Sequence, residues 1–351
     1  MTNQIHDYLV EKKLDAFLVL TKINRQYLSG FTGSAGYLVI SKREAVLYVD
    51  GRYFLRAKKE SGMPVRKLER LSKDLVLAKY KKIAIEDRIS LREFASLKKI
   101  GKGVSWKSTA NVIENVRAVK TKAQLKAIER GSAIIDKTFE QIKKYIRAYI
   151  NKYELTEAKI AGLILKYGTE LDAEGLAFDP IVAFGSNAAS PHHFPSKTRV
   201  GRNNFLLLDF GFKVGNYHSD FTRTLFLGRP TGFQAKVYET VLHSQLKAIA
   251  KVQIGNKASL FDQTARKVIT QAGFGKYFTH NTGHGVGLEI HEQPNFSPAS
   301  EDVLKVNSVV TVEPGIYLPG KFGVRIEDMI TVAKQPKIHS KIPKDLKSMI
   351  I

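Results

Sequence analysis

The feature that most constrains this chain is an order of elements that occurs twice. TKAQLKAIERGSAIIDKTFEQIKKYIRAYI carries apolar residues at helical spacing, and LTEAKIAGLILKYG reads as a second helix, with Thr156 as its cap and Gly168 as its stop. Strand-like segments follow: FDPIVAFG, NNFLLLDFGF and SDFTRTLFLG. The order then begins again. GFQAKVYETVLHSQLKAIAKVQIG and SLFDQTARKVITQAG read as helices, and VGLEIHE, SVVTVEPGIYL and GVRIEDMITVA as strands. Two similar halves of this kind join their sheets and place their helices on the outer face. A site between such halves draws residues from both.

Ahead of the repeat the pattern changes. MTNQIHDYLVEKKL reads as a short amphipathic helix, DAFLVL, AGYLVI, EAVLYV and KKIAIE as strands, and YFLRAKKE as a helix between them. The expectation is α/β (α+β): a small N-terminal α/β domain over 1–118 and a larger C-terminal domain over 119–351, with the boundary in the unbroken stretch near 115–122. The N-terminal stretch lacks the basic start and apolar segment of a signal peptide. No apolar run approaches the ~18 residues of a membrane helix, so the cytoplasm is the expected compartment and no membrane partner is expected. The net charge is +23, which raises nucleic-acid binding. The basic residues are spread along the chain, without zinc-finger spacing, an aromatic RNA-binding signature or a basic low-complexity arm. A solvated basic surface is the favoured reading.

The chain has no cysteine, so any metal must be held by His, Asp and Glu. The segment HNTGHGVGLEIHE holds His280, His284 and His291 among three glycines, in a chain with only nine histidines. Glycines at about 1 kcal/mol each relative to alanine argue against a helix. The alternation in VGLEIHE suggests a glycine turn running into a strand. Asp209 ends an apolar strand and Asp220 begins the next, so a hairpin brings the two carboxylates together. Glu313 ends a β-branched run before Pro314-Gly315, and Glu327 sits in another apolar run. Taken singly, these acids read as turn or edge-strand residues. Together they are partly buried carboxylates that repel unless a cation lies between them. Two Asp, two Glu and one His suit Mn²⁺, Co²⁺ or Zn²⁺, and four carboxylates suit two ions better than one.

These five positions resemble the ligand pattern of the pita-bread metallopeptidases, which include methionine aminopeptidase, aminopeptidase P and prolidase. TGHGVGLEIHE, TVEPGIYLPG and GVRIED are similar to the Xaa-Pro peptidase branch over about 230 residues, as are YLSGFTGSAGYLVIS and LYVDGRYFLRA, more weakly, in the N-terminal part. The resemblance implies a pita-bread domain with pseudo-twofold helix-helix-strand repeats. It also implies a cofactor of two divalent ions, Mn²⁺ or Co²⁺ first and Zn²⁺ next. Asp209 would hold one ion, His284 and Glu313 the other, and Asp220 and Glu327 both. A shared water would be the nucleophile, with Glu313 moving its proton. His192 in SPHHFP, His280 and His291 would surround the substrate, and Arg325 would support the site. Asn281 replaces the small residue usual after the first histidine, and His193 beside His192 leaves that pair open. The substrate implied is a peptide with proline in second position, and the implied assembly is a homodimer. An Xaa-Pro aminopeptidase is slightly favoured over an Xaa-Pro dipeptidase. The large N-terminal domain and GVRIED disfavour methionine aminopeptidase. The other class of reading is a non-catalytic pita-bread binding protein, which the presence of all five ligands opposes.

Overall fold

The computed structural model describes residues 2–77, 79–152 and 154–351; Met1 of the expected N-terminal helix lies outside them. The chain divides into two compact units, Met1–Arg117 and Ala118–Ile351. Among the described residues no helix is long and apolar enough to cross a membrane.

The N-terminal unit is built on one six-stranded sheet. Its order is Val65–Lys67, Ala45–Val49, Tyr37–Ser41, Ala16–Val19, Lys82–Glu86, Ser105–Thr109. The central Ala16–Val19 pairs antiparallel with Tyr37–Ser41 and parallel with Lys82–Glu86, and all four of its residues are buried. That is why AFLV is apolar throughout rather than alternating. Two polar groups fix this unit from within. Buried Glu86 accepts from the backbone N–H groups of Leu20 and Thr21 and from the side chains of Thr21 and Asn24. Buried Arg25 donates to the carbonyls of Leu20, Gly33 and Gly36, which tethers the glycine-rich GFTGSAG segment. The edge strands Val65–Lys67 and Ser105–Thr109 carry exposed or half-buried charged and polar residues, which gives them no sequence periodicity to read.

The larger unit contains the repeated order of elements. Lys122–Tyr149 packs with Glu157–Glu170, and Gly232–Ile249 with Ser259–Gln271. Capping boxes at Thr121/Gln124 and Thr231/Gln234 start the first helix of each pair, and the Thr156 side chain accepts from Lys159 N as expected. Gly168 does not stop its helix, which runs on to Glu170. A Cβ there would lie 2.0 Å from the Phe212 ring, so the glycine serves close packing. In the first half, Asn204–Asp209 lies between Ile181–Phe184 and Thr222–Leu227, antiparallel to both. In the second, Val309–Val312 pairs with Gly283–Gly285 and with Asp328–Thr331, and a separate hairpin joins Gly315–Leu318 to Phe322–Arg325. The halves do not merge into one ladder. They meet where Glu327 N donates to Thr222 O at 3.1 Å and where Arg325 and Thr224 exchange hydrogen bonds. One apolar core serves both halves, with Phe139, Phe205, Phe221 and Phe226 from the first and Val237, Val310, Ile316 and Ile330 from the second.

VGLEIHE is not a strand. The pairing residues are Gly283–Gly285 and Glu292–Phe296, and a register shift falls between His284 and Gly285. The glycines explain this. A Cβ on Gly283 would lie 2.1 Å from Thr311 O, one on Gly285 2.2 Å from Gln293 O, and one on Gly287 2.2 Å from the Glu292 carboxylate. The segment is glycine-rich because backbones press on it from both sides.

Candidate metal centre

Asp209 is the last residue of its strand, and its register partner across the ladder is Thr222. Asp220 lies two residues before that partner strand rather than in it. Glu313 follows Val309–Val312, and Glu327 falls between Phe322–Arg325 and Asp328–Thr331. His284 is the middle residue of Gly283–Gly285. Strand ends from both halves thus converge, and each apolar run delivers its acid to the same place.

One ligand atom each of Asp220, His284 and Glu327 lies within 4.8 Å of the others. Glu313 joins this group through His284, whose Nε2 is 3.2 Å from Glu313 Oε1 and 3.6 Å from Asp220 Oδ2. The other ring nitrogen, Nδ1, donates to Gly285 O at 3.1 Å. Nε2 is therefore aimed between two carboxylates. Thr311 Oγ1 donates to Glu313 Oε1 at 3.1 Å and accepts from His284 N at 3.1 Å, which holds those two side chains in step. Asp209 pairs with Arg325 Nη2.

The electrostatics are those of a crowded anionic pocket. Burial raises Asp220 well above the ordinary carboxylate range, and the charges of Asp209 and Glu313 add to the effect. Glu327 is likewise raised well above its usual value by burial and by Asp220, Glu313 and Asp209. Burial also raises Asp209, although Arg325 opposes it. Burial disfavours charge on His284 as well, but Glu313 and Asp220 outweigh it and lift the imidazole to about 9. Glu313 is the complement: His284 overcomes burial and holds it at about 2. Two oxygens, Asp209 Oδ1 and Glu327 Oε1, are buried without a hydrogen-bond partner among the described residues. Buried acceptors without donors are rare in folded proteins. Unpartnered oxygens among mutually repelling carboxylates and one imidazole form a donor set that fits divalent cations.

Around this cluster runs a hydrogen-bonded chain. Arg325, with its side chain 3% exposed, donates to Tyr317 OH at 2.8 Å, to Thr222 Oγ1 at 3.2 Å and to Pro191 O at 3.3 Å. Tyr317 OH in turn lies 2.8 Å from His280 Nε2, while His280 Nδ1 meets Asn281 O at 2.8 Å. Nδ1 donates to that carbonyl, so Nε2 accepts from the tyrosine. Burial outweighs the opposing Arg325 and, with Glu313 and Asp209, raises Tyr317 to about 12, so its proton stays on. Asn281 turns its side chain toward Asn295 Oδ1, 3.5 Å away, and not into the cluster. His291 stacks edge-on against His284 with ring centroids 4.2 Å apart, and burial, with a small addition from nearby His192, disfavours protonation of His280 and His291. His192 itself is exposed, whereas His193 is turned inward with Nε2 2.9 Å from Glu157 Oε2. Tyr317, Thr222 and Thr311 were not legible as site residues. Tyr317 stood in the quoted stretch TVEPGIYLPG, but only its hydroxyl partners give it a role.

Comparison with known proteins agrees with this geometry. Residues 126–334 match the model of metallopeptidase family M24, and residues 2–119 match the creatinase/prolidase N-terminal domain. The chain is 36% identical to an Xaa-Pro dipeptidase of Pyrococcus horikoshii over 333 residues, covering 94% of this chain and 93% of the relative. Among solved structures, an Xaa-Pro dipeptidase from Bacillus anthracis superposes with a TM-score of 0.94 at 32% identity, covering 100% of this chain and 99% of that one. An X-Pro aminopeptidase from Thermotoga maritima gives 0.87 at 33% identity, covering 97% and 98%.

Proposed function

This chain belongs to metallopeptidase family M24, and from that premise we propose that it is an Xaa-Pro dipeptidase, hydrolysing the bond between a free N-terminal residue and a following proline. The slight lean of the sequence toward an aminopeptidase gives way here, because the Bacillus anthracis dipeptidase superposes better, at a TM-score of 0.94 against 0.87 for the Thermotoga maritima aminopeptidase, and the Pyrococcus horikoshii dipeptidase is 36% identical. The observation that carries a metal-dependent reading is the pair of buried, unpartnered oxygens on Asp209 and Glu327, beside the Asp220–His284–Glu327 group.

In this reading Asp209, Asp220, His284, Glu313 and Glu327 hold two divalent ions, with Mn²⁺ or Co²⁺ favoured. Such ions polarise a carbonyl and lower the pKa of a water toward ~7. The chain's own groups do the rest. Arg325 neutralises and orients Asp209. Glu313, steadied by Thr311 and His284, receives a proton from the attacking water and returns it to the leaving nitrogen. His280, held by Tyr317, and His291 flank the reacting bond. His192 meets the proline ring, whose nitrogen carries no hydrogen and whose φ is fixed. The reading extends to a homodimer, checked by sedimentation, and to a cytoplasmic location, checked by fractionation.

The test is a panel of Xaa-Pro, Xaa-Pro-Xaa and Xaa-Ala peptides, assayed with Mn²⁺ or Co²⁺ and after chelation. Xaa-Pro should turn over, chelation should stop it, and added metal should restore it. Preference for the tripeptide would return the aminopeptidase reading. Equal turnover of Xaa-Ala would overturn proline specificity.

A further inference from the structure

Glu157 is the first residue of the helix Glu157–Glu170, and its carboxylate is fully buried. Nothing in its sequence context marks it beyond the cap Thr156 before it. In the structure it gathers five donors, all from the segment that follows strand Ile181–Phe184 or from that strand's last residue. Phe184 N donates at 2.8 Å, Asn187 Nδ2 at 2.9 Å, Ser196 N at 3.0 Å and Ser196 Oγ at 2.7 Å, and His193 Nε2 lies at 2.9 Å. The helix backbone adds to this, with Glu157 N donating to Thr198 O and Ala158 N to Ser196 O. Burial pushes the carboxyl up, but these donors outweigh it and keep Glu157 ionised below its usual range.

The tethered segment is the one that carries His192. Its other anchor is the Arg325 bond to Pro191 O. Pro191 and His192 are therefore suspended between two fixed points, the arginine of the acid cluster on one side and the Glu157–His193 pair on the other. We propose that Glu157 and His193 form a latch that sets where His192 stands over the acid cluster, and that they are positioning residues for the proline-bearing end of the substrate. The inference rests on the peptidase reading for its kinetic consequence, but the latch has a structural readout of its own. It also assigns the two adjacent histidines of SPHHFP: His193 holds, and His192 presents.

The experiment uses the metal-loaded full chain with Glu157→Gln, His193→Phe and His193→Gln. Glutamine at 157 keeps an acceptor for Phe184 N but opposes the Ser196 and His193 donors with an amide. Expected for Glu157→Gln and His193→Phe is a KM for Xaa-Pro raised about tenfold, with kcat within about twofold and metal content unchanged. His193→Gln, which keeps a donor, should restore most of the KM. In a His192→Ala background, Glu157→Gln should raise KM little further, because the residue it positions is gone. Should Glu157→Gln fail to fold, the His193 pair of variants carries the test. An unchanged KM in His193→Phe, or full additivity with His192→Ala, overturns the proposal. Trypsin separates this from the activity: cleavage after exposed Lys197 should be faster in His193→Phe than in wild type, whatever peptide the enzyme prefers. Equal cleavage rates overturn the latch and leave the peptidase reading standing, whereas a wild type inert on all Xaa-Pro peptides overturns that reading and leaves the latch to the cleavage rates.

Discussion

Glu327 and Asp328 are consecutive, both almost wholly buried, and they solve the same electrostatic problem in opposite ways. Asp328 accepts from Arg223 at 2.7 Å, Lys344 at 2.6 Å and Gln245 at 2.9 Å. Burial opposes its ionisation, but the two cations prevail and hold it below the normal carboxylate range. Glu327 has one donor, Thr222 Oγ1 at 2.7 Å, and three carboxylates for company, and it is raised well above normal. The protein supplies Asp328 with two bonded cations and crowds Glu327 with like charges. Glu86 in the N-terminal unit and Glu157 follow the Asp328 pattern, each saturated by donors. What separates Asp328 from Glu327 is thus its stock of partners, and burial alone does not tell them apart.

The comparison can be broken in three places. The largest effect is expected for Glu327→Gln, which should abolish turnover and lower bound metal measured by elemental analysis. In chelator the same variant should melt above metal-free wild type, because a repelling carboxylate has gone. Full metal content with normal turnover would remove Glu327 from the centre. Asp328→Asn should do the reverse: it leaves buried Arg223 and half-buried Lys344 without their anion, so stability by denaturant titration should fall by about 3–5 kcal/mol. The folded fraction should still bind metal. A stability within error of wild type would show that Asp328 is no structural counterpart at all. The smallest effect concerns a buried group with neither solution. His339 bonds Thr331 through Nε2 at 2.8 Å, has no partner at Nδ1, and is held neutral down to about 4 by burial. Its unfolded imidazole takes a proton near pH 6.5, so between 6.5 and about 4 the unfolded chain binds more protons and stability is lost as the pH is lowered. The loss should reach about 2 kcal/mol by pH 5. His339→Gln should flatten the stability profile in that window, and an unchanged slope would mean the imidazole titrates normally.

The converging acids were legible as candidates because an anion at the end of an apolar run contradicts its surroundings, and that contradiction is local. LLLD, VVTVE and VRIE each display it within a few residues. The helices were legible from period and caps, and the central strands from continuous apolar stretches. The saturated acids were not legible. Glu157 looks like an ordinary first-turn glutamate, and its donors arrive from residues far along the chain. Asp328 is indistinguishable from Glu327 until Arg223 and Lys344 are placed in space. VGLEIHE alternated as a strand does, yet pairing resumes only at Glu292, and the register shift before it falls where Thr311 and Gln293 crowd Gly283 and Gly285, just outside the segment.

The glycines flanking His284 carry a consequence for inheritance. Every missense change reachable by one nucleotide from a glycine codon yields a residue with a Cβ. At Gly283 that atom would fall 2.1 Å from the Thr311 carbonyl oxygen, and at Gly285 2.2 Å from that of Gln293. Neither obstacle is a side chain that can swing away. The two codons are thus closed to neutral drift, and a lineage can abandon them only by rebuilding the neighbouring strands or by giving up the histidine between them.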